Sequence, residues 1–238
     1  RHDKYGSGAQ ILEHLEHARG RFTTLNVDMI FNLPHQTPEI LEDDLRTVLE
    51  SPANQVSFYP LMTSDEVRRK MTARMGRLDR ARVRDYYARI RARLLPAFTP
   101  SSAWCFSRGT GGGVDEYIVD ATDYVGVGSG AFSYVGGAMY ATTFSLNAYA
   151  DRIGRGLPAV TQKRAMTVHE QMRYELLLRL NGLSMDHAWL RSRFGGRFAR
   201  RMAAEMTALK LTGAVTEDAT GYRLTERGTY LWVLMMSA

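Results

Sequence analysis

Apolar and polar residues alternate, with Ile30 the one exception, in one short stretch, and apolar residues recur at helical spacing on either side of it. From residue 27 to 32, Val27, Met29 and Phe31 fall on one face, and Asp28, Ile30 and Asn32 on the other. That is the period of a β-strand, here with one fully apolar face and one carrying two polar groups. Pro34 and Thr37-Pro38 follow, with Thr37 placed to cap a helix and Pro38 at its first position. Ile40, Leu41, Leu45, Val48 and Leu49 predict a helix over about 38–50, and Val56-Ser-Phe-Tyr-Pro-Leu61 a second strand. Upstream, Ile11, Leu12, Leu15 and Ala18 give a helical stripe over 9–20, closed by Gly20. Residues 9–62 thus read α-β-α-β, a piece of parallel barrel or open sheet, in which the loop after a strand faces the chemistry.

Further on, Val83, Tyr86 or Tyr87, Ile90 and Leu94 mark an apolar stripe in a helical region over 64–95. Residues 96–113 read as a loop ending in Gly109-Thr-Gly-Gly-Gly113, without the Lys-Ser/Thr that a phosphate-binding loop requires. In 124–133, Gly126, Gly128 and Gly130 alternate, which lets a backbone or a flat ligand approach closely. After about residue 140 the chain turns mainly helical, over 145–155, 167–181, 186–194 and 197–212. A hairpin follows before Gly228, as in a winged helix. The expected division is 1–140 and 141–238.

Composition sharpens this. The chain is 45% hydrophobic, enough for a core, and no apolar run approaches a membrane span. It opens on Arg1-His2-Asp3 without an initiator Met, as though cut from something longer, and shows no secretory signal pattern. One cysteine, Cys105, excludes an internal disulfide and a thiolate cluster built from this chain alone, which makes a reducing cytoplasm the default. From Arg68 to Arg93 eleven basic residues face two acids, a local +9, so the remainder sums to −3 against the net +6. That stretch is a solvated helix face or a partner for carboxylates, phosphates or a neighbouring domain. Arg191, Arg193, Arg197, Arg200 and Arg201 form a second basic segment. No aromatic interleaving of the single-strand-binding kind accompanies it, and nucleic acid is an unlikely partner. His14 and His17 share a helix face with no third ligand near.

Several stretches together resemble one family. Asp28-Met-Ile-Phe-Asn-Leu-Pro-His-Gln-Thr37 is similar to the Asp-Leu-Ile-Tyr-Gly-Leu-Pro-x-Gln-Thr segment of the oxygen-independent coproporphyrinogen III oxidase family of radical S-adenosylmethionine (SAM) enzymes. Tyr124–Ser133 resembles its Gly-x-Gly-x-x-Ala-x-Ser segment, and Val56–Tyr59, Arg173–Leu183 and Leu224–Gly228 resemble its next barrel strand and terminal domain. Asn32 stands where the oxidases have glycine. With Ala103–Arg108, Asp115–Asp120, Gly128–Tyr134 and Thr143–Leu146, it resembles the haem-utilisation branch, of the anaerobilin-synthase kind.

The resemblance implies an α/β plus α fold: the last strands of a partial (β/α) barrel, then a mainly helical, winged-helix-like domain. It implies a methyltransferase that opens haem anaerobically to a linear tetrapyrrole and releases iron. SAM and a [4Fe-4S] cluster are its cofactors, haem or a related tetrapyrrole its substrate, and a flavodoxin or ferredoxin its electron donor. The alternatives are porphyrinogen decarboxylation and haem carriage without catalysis. The Cys-x3-Cys-x2-Cys loop of the family is absent, so the cluster ligands lie outside this chain and no catalytic acid or base is identified. By resemblance Asp28 holds the SAM ribose, with a structural pairing as its other reading, and Arg1 is the nearest match to a SAM-side arginine. Met62 and Phe132 fall near a second SAM or the substrate. Asn32, His35, Tyr59, Tyr117 and Tyr134 are candidate substrate contacts, with His35 ahead of His169 as an iron ligand. Arginines of either basic segment are candidate partners for haem propionates.

Overall fold

The computed structural model describes residues 8–62, 79–109 and 123–236. In chain order the elements are α1 (Gly8–Ala18), β1 (Asn26–Phe31), α2 (Pro38–Glu50), β2 (Gln55–Pro60), α3 (Arg82–Leu94), β3 (Thr99–Pro100), β4 (Cys105–Ser107), β5 (Phe132–Val135), β6 (Ala138–Thr142) and α4 (Leu146–Gly154). They continue as β7 (Val160–Ala165), α5 (Val168–Asn181), β8 (Ser184–Asp186), α6 (His187–Phe194), α7 (Arg197–Arg201), α8 (Ala203–Leu211), β9 (Val215–Glu217), β10 (Gly221–Leu224) and α9 (Glu226–Met236). The chain divides into two compact units, Arg1–Asp115 with Thr225–Ala238, and Glu116–Leu224.

In the first unit β1 and β2 pair in parallel, with Val27 opposite Val56, Asp28 opposite Ser57, Met29 opposite Phe58 and Ile30 opposite Tyr59. β4 adds antiparallel to β2, and β3 to β4. Thr37 caps α2 as expected, its hydroxyl accepting from the Ile40 N–H at 3.3 Å, with Pro38 in the first turn. Phe31, Val56 and Phe58 are buried, as are Leu41, Leu45 and Val48 of α2 and Val83, Tyr86, Tyr87, Ile90 and Leu94 of α3. Each such side chain contributes about 1.5–3 kcal/mol by leaving water. The Tyr87 hydroxyl donates to the Ala103 carbonyl, and burial pushes that phenol up to about 12.

Three features depart from expectation. Residues 96–113, read as a loop, contain β3 and β4, which are too short to show a period. α9 returns to the first unit, burying Trp232 and Val233 and setting Tyr230 6.2 Å from Tyr87, so the division does not fall at 140. α1 forms where predicted but has no buried residue, and Ile11 on its apolar stripe is 43% exposed.

The second unit holds two antiparallel sheets, ordered β5-β6-β7 and β8-β10-β9. Gly136 and Gly137, both at positive φ, make the two-residue turn between β5 and β6. Every residue of β7 is exposed, so no alternation announces it in the sequence. The helices expected after residue 145 are present, with the last one broken at Met202 into α7 and α8. α5 begins with a complete capping box, Thr167 and Glu170. No helix among the described residues is long and apolar enough to cross a membrane.

Glu175 of α5 lies inside this unit with a side chain 2% exposed, its Oε1 3.6 Å from Arg193 Nε. Burial pushes its pKa above the ordinary carboxylate value, against the pull of Arg193 and Arg179. A raised folded-state pKa means the folded chain holds this proton more tightly than the unfolded chain. Its stabilising contribution is therefore full at acid pH and is lost as pH rises from the unfolded value through the folded one. Urea denaturation between pH 4 and 8 is expected to show the wild type losing stability relative to Glu175→Gln as pH rises. A constant difference across that range would contradict this.

Candidate functional site

The carboxyl ends of two parallel strands are where α/β folds place ligands. Here that end is formed by Phe31 of β1, Pro60 of β2 and the loop 32–37. The Leu61 N–H donates to the Phe31 carbonyl at 3.0 Å, which carries the parallel ladder one step past the strands and brings Met62 beside the loop. Asp28 and Ile30 lie on the exposed face of β1, Ile30 being 51% exposed. Across the register Ser57 is buried and Tyr59 half-buried, its ring 5.2 Å from Trp104. Asp28 Oδ1 accepts from Asn26 Nδ2 at 2.7 Å, and among the described residues its other oxygen makes no hydrogen bond.

The loop itself is tightly bound. Asn32 stands at φ +64°, so the strand's alternation ends there and its side chain does not continue the Asp28–Ile30 face. It is 1% exposed: its N–H donates to Gln36 Oε1 at 2.7 Å and its Nδ2 to the Asp79 carbonyl at 3.0 Å. Gln36 in turn donates to Asp44 at 3.1 Å, and burial holds the Asp44 carboxyl above its usual range. The Gln36 carbonyl accepts from Tyr86 at 2.7 Å and Arg82 at 2.9 Å. His35 is exposed on this loop, and Met62 is 42% exposed.

These placements sort the expected residues. Asp28, Ile30, Tyr59, Met62 and His35 gather on the exposed face and carboxyl end of the parallel pair. Asn32, expected on the ligand face, is buried in the turn, and its identity is explained by backbone conformation, because Asn tolerates the left-handed region that otherwise favours Gly. Phe132 and Tyr134 belong to the second unit. Phe132 is 50% exposed and meets Phe144 edge-on at 5.9 Å. Tyr134, expected as a tetrapyrrole contact, is a core residue: 1% exposed, 4.7 Å from the Tyr174 ring, with burial raising its phenol. Arg1 and Tyr117 lie outside the described residues, as does the first part, 68–78, of the first basic segment. Gln36, Arg82 and Tyr86 were not expected here. Arg82 and Tyr86 lie 46 and 50 residues from Gln36, and nothing local signals such a contact.

The donor set fits one part of SAM. A carboxylate on an exposed strand face can accept two hydroxyl hydrogen bonds from a ribose, and Ile30 beside it offers an apolar surface. It does not fit an iron–sulfur cluster: Cys105 is buried, and no group of three or more His, Cys, Asp or Glu among the described residues could hold a metal ion.

The fold is a mixed α/β one. Among solved structures the chain is similar to coproporphyrinogen III oxidase (HemN) from Escherichia coli, described as a radical SAM enzyme, with a TM-score of 0.76 at 22% identity. The match covers 96% of this chain and 58% of that one, so the chain spans a little over half the length of that enzyme. The likeness is one of fold. No family model matches the chain, and no curated protein matches it.

Asn32 gives a direct check. Asn32→Gly keeps the left-handed turn and is expected to cost about 1 kcal/mol through the lost Asp79 bond. Asn32→Val adds conformational strain and is expected to cost about 1–2 kcal/mol more. Chemical denaturation of both variants tests this; equal losses would remove the conformational explanation.

Proposed function

We propose that this chain is a portion of a radical SAM enzyme acting on a tetrapyrrole, and that its first unit holds the adenosyl part of SAM. The observation that carries the reading is the place of Asp28: an exposed carboxylate on a parallel strand pair, in a chain similar in fold to HemN over 96% of its length. SAM bound beside a reducing iron–sulfur cluster supplies one-electron chemistry. The residues to ligate such a cluster are not in this chain, whose single cysteine is buried.

The chain's own residues bind and orient. Asp28 accepts the ribose hydroxyls, and Ile30 and Met62 give apolar surface to the purine or thioether. His35 and Tyr59 meet the substrate at the loop. Haem is the substrate we infer, opened to a linear tetrapyrrole with methyl transfer and iron release. An acidic one-electron donor of the flavodoxin or ferredoxin kind, in the cytoplasm, completes the system.

A second reading, decarboxylation of a porphyrinogen, is favoured by the likeness to HemN, and Asn32, explained by its conformation, no longer weighs against it.

Calorimetric titration of the chain with SAM, haem and coproporphyrin tests these readings. SAM is expected to bind, and Asp28→Asn to weaken it about tenfold while leaving haem affinity unchanged. Haem binding without SAM binding would favour a carrier, and no binding of any of the three would remove the proposal. The mass of the product formed by the full-length, cluster-reconstituted enzyme separates haem opening from decarboxylation.

A further inference from the structure

Arg82 occupies a place that helix electrostatics disfavours. It opens α3, whose N-terminus carries the positive end of the helix dipole. No side chain caps that end at Ala81, and Arg80 and Arg84 crowd the same turn. A cation there needs compensation, and Arg82 finds it on the loop after β1. Its guanidinium, 28% exposed, donates to the carbonyl of Gln36 at 2.9 Å and reaches those of Leu33 and Pro34 at 3.4 Å each. Tyr86, one turn further along, adds a bond to the same Gln36 carbonyl. From the other side, Asn32 Nδ2 binds the Asp79 carbonyl, and the Asp79 carboxylate lies 3.7 Å from Arg82.

Three carbonyls of one loop therefore converge on one cation. A trans peptide sets its N–H opposite its carbonyl, so the His35 N–H points away from Arg82, and the His35 side chain is exposed. We infer that Arg82 is a positioning residue: it fixes residues 32–36 in the conformation that presents His35 at the mouth of the parallel strands. The inference rests on the reading above, that this mouth takes a ligand. Lysine could not replace the function, because a single ammonium cannot offer the planar fork that spans several carbonyls.

The test compares Arg82→Met and Arg82→Lys with wild type and with Arg89→Met, whose arginine pairs with Asp85 along its own helix. Two readouts are used: amide hydrogen exchange at Asn32 and Gln36, whose N–H groups are bonded within the loop, and haem titration followed by the Soret band. In Arg82→Met those amides are expected to exchange about tenfold faster and haem affinity to fall about tenfold. Arg82→Lys should fall between, and Arg89→Met should match wild type in both. Should the Met variant fail to fold, the Lys variant carries both comparisons. Unchanged exchange at Asn32 and Gln36 would overturn the inference whatever the ligand result. Faster exchange with unchanged haem affinity would overturn the positioning role. A wild-type chain that binds no haem would overturn the haem reading of this mouth, while the exchange comparison still decides whether Arg82 holds the loop.

Discussion

A left-handed residue at the end of β1 sets the geometry of the first unit. At Asn32 the backbone turns back, and the loop it begins is anchored by two buried residues, Asn32 and Gln36, while His35 stays exposed. Backbone groups drawn in with them must find partners, since an unpaired buried one costs about 1–3 kcal/mol. Here the Asn32 N–H is met by Gln36, and the Leu33, Pro34 and Gln36 carbonyls are met from α3. The apolar stripe of α3 lies in the core, and the hydrogen bonds from Arg82 and Tyr86 tie its first turns to the loop after β1. The same turn divides the labour of β1: Phe31 is in the core, while Asp28 and Ile30 on the opposite face stay exposed.

The second unit makes a comparable trade. Glu175, Tyr134 and Asn181 are polar groups inside an otherwise apolar core of Met172, Leu176, Leu180, Leu190 and Phe194. A buried carboxyl facing Arg193 and Arg179 adds little net stability, because desolvation offsets the attraction. What it does supply is a fixed relation between α5 and α6, since Arg193 on α6 has to stay within reach of Glu175.

Much of this was legible in the sequence, and the rest was hidden for physical reasons. β1, α2 and β2 carry clean periods and a Thr-Pro start, and they lie where read. The helices of the second unit and the β9–β10 hairpin were legible for the same reason. β3 and β4 span two and three residues, less than a period needs. β7 is exposed throughout, so its polar run carries no alternation. Tyr134 shares a strand face with Phe132, and no local pattern says that Tyr174 of α5 covers one and not the other. Asn32 looked like one more ligand-facing polar residue because alternation was carried one position too far. The contacts of Arg82 are long-range, and composition saw in it only one more positive charge.

Under the proposed function, that last point bears on which arginines meet the substrate. Haem and porphyrinogens both carry carboxylates, and the sequence offered a whole helix of arginines to meet them. In the structure several are committed. Arg82 serves loop carbonyls, Arg89 pairs with Asp85, Arg93 with Glu42 at 2.9 Å, and Arg91 packs over Tyr87. Arg80 and Arg84 remain exposed on α3 and its approach, with no acidic partner among the described residues. In the second basic segment Arg193 serves Glu175 and Arg197 the Phe194 carbonyl, which leaves Arg191, Arg200 and Arg201. A cation held by a buried carboxylate or by loop carbonyls cannot turn to a substrate without leaving those groups unpaired. Under the proposed function, recognition of tetrapyrrole carboxylates falls to exposed arginines, and Arg82 and Arg193 act through the shape they impose.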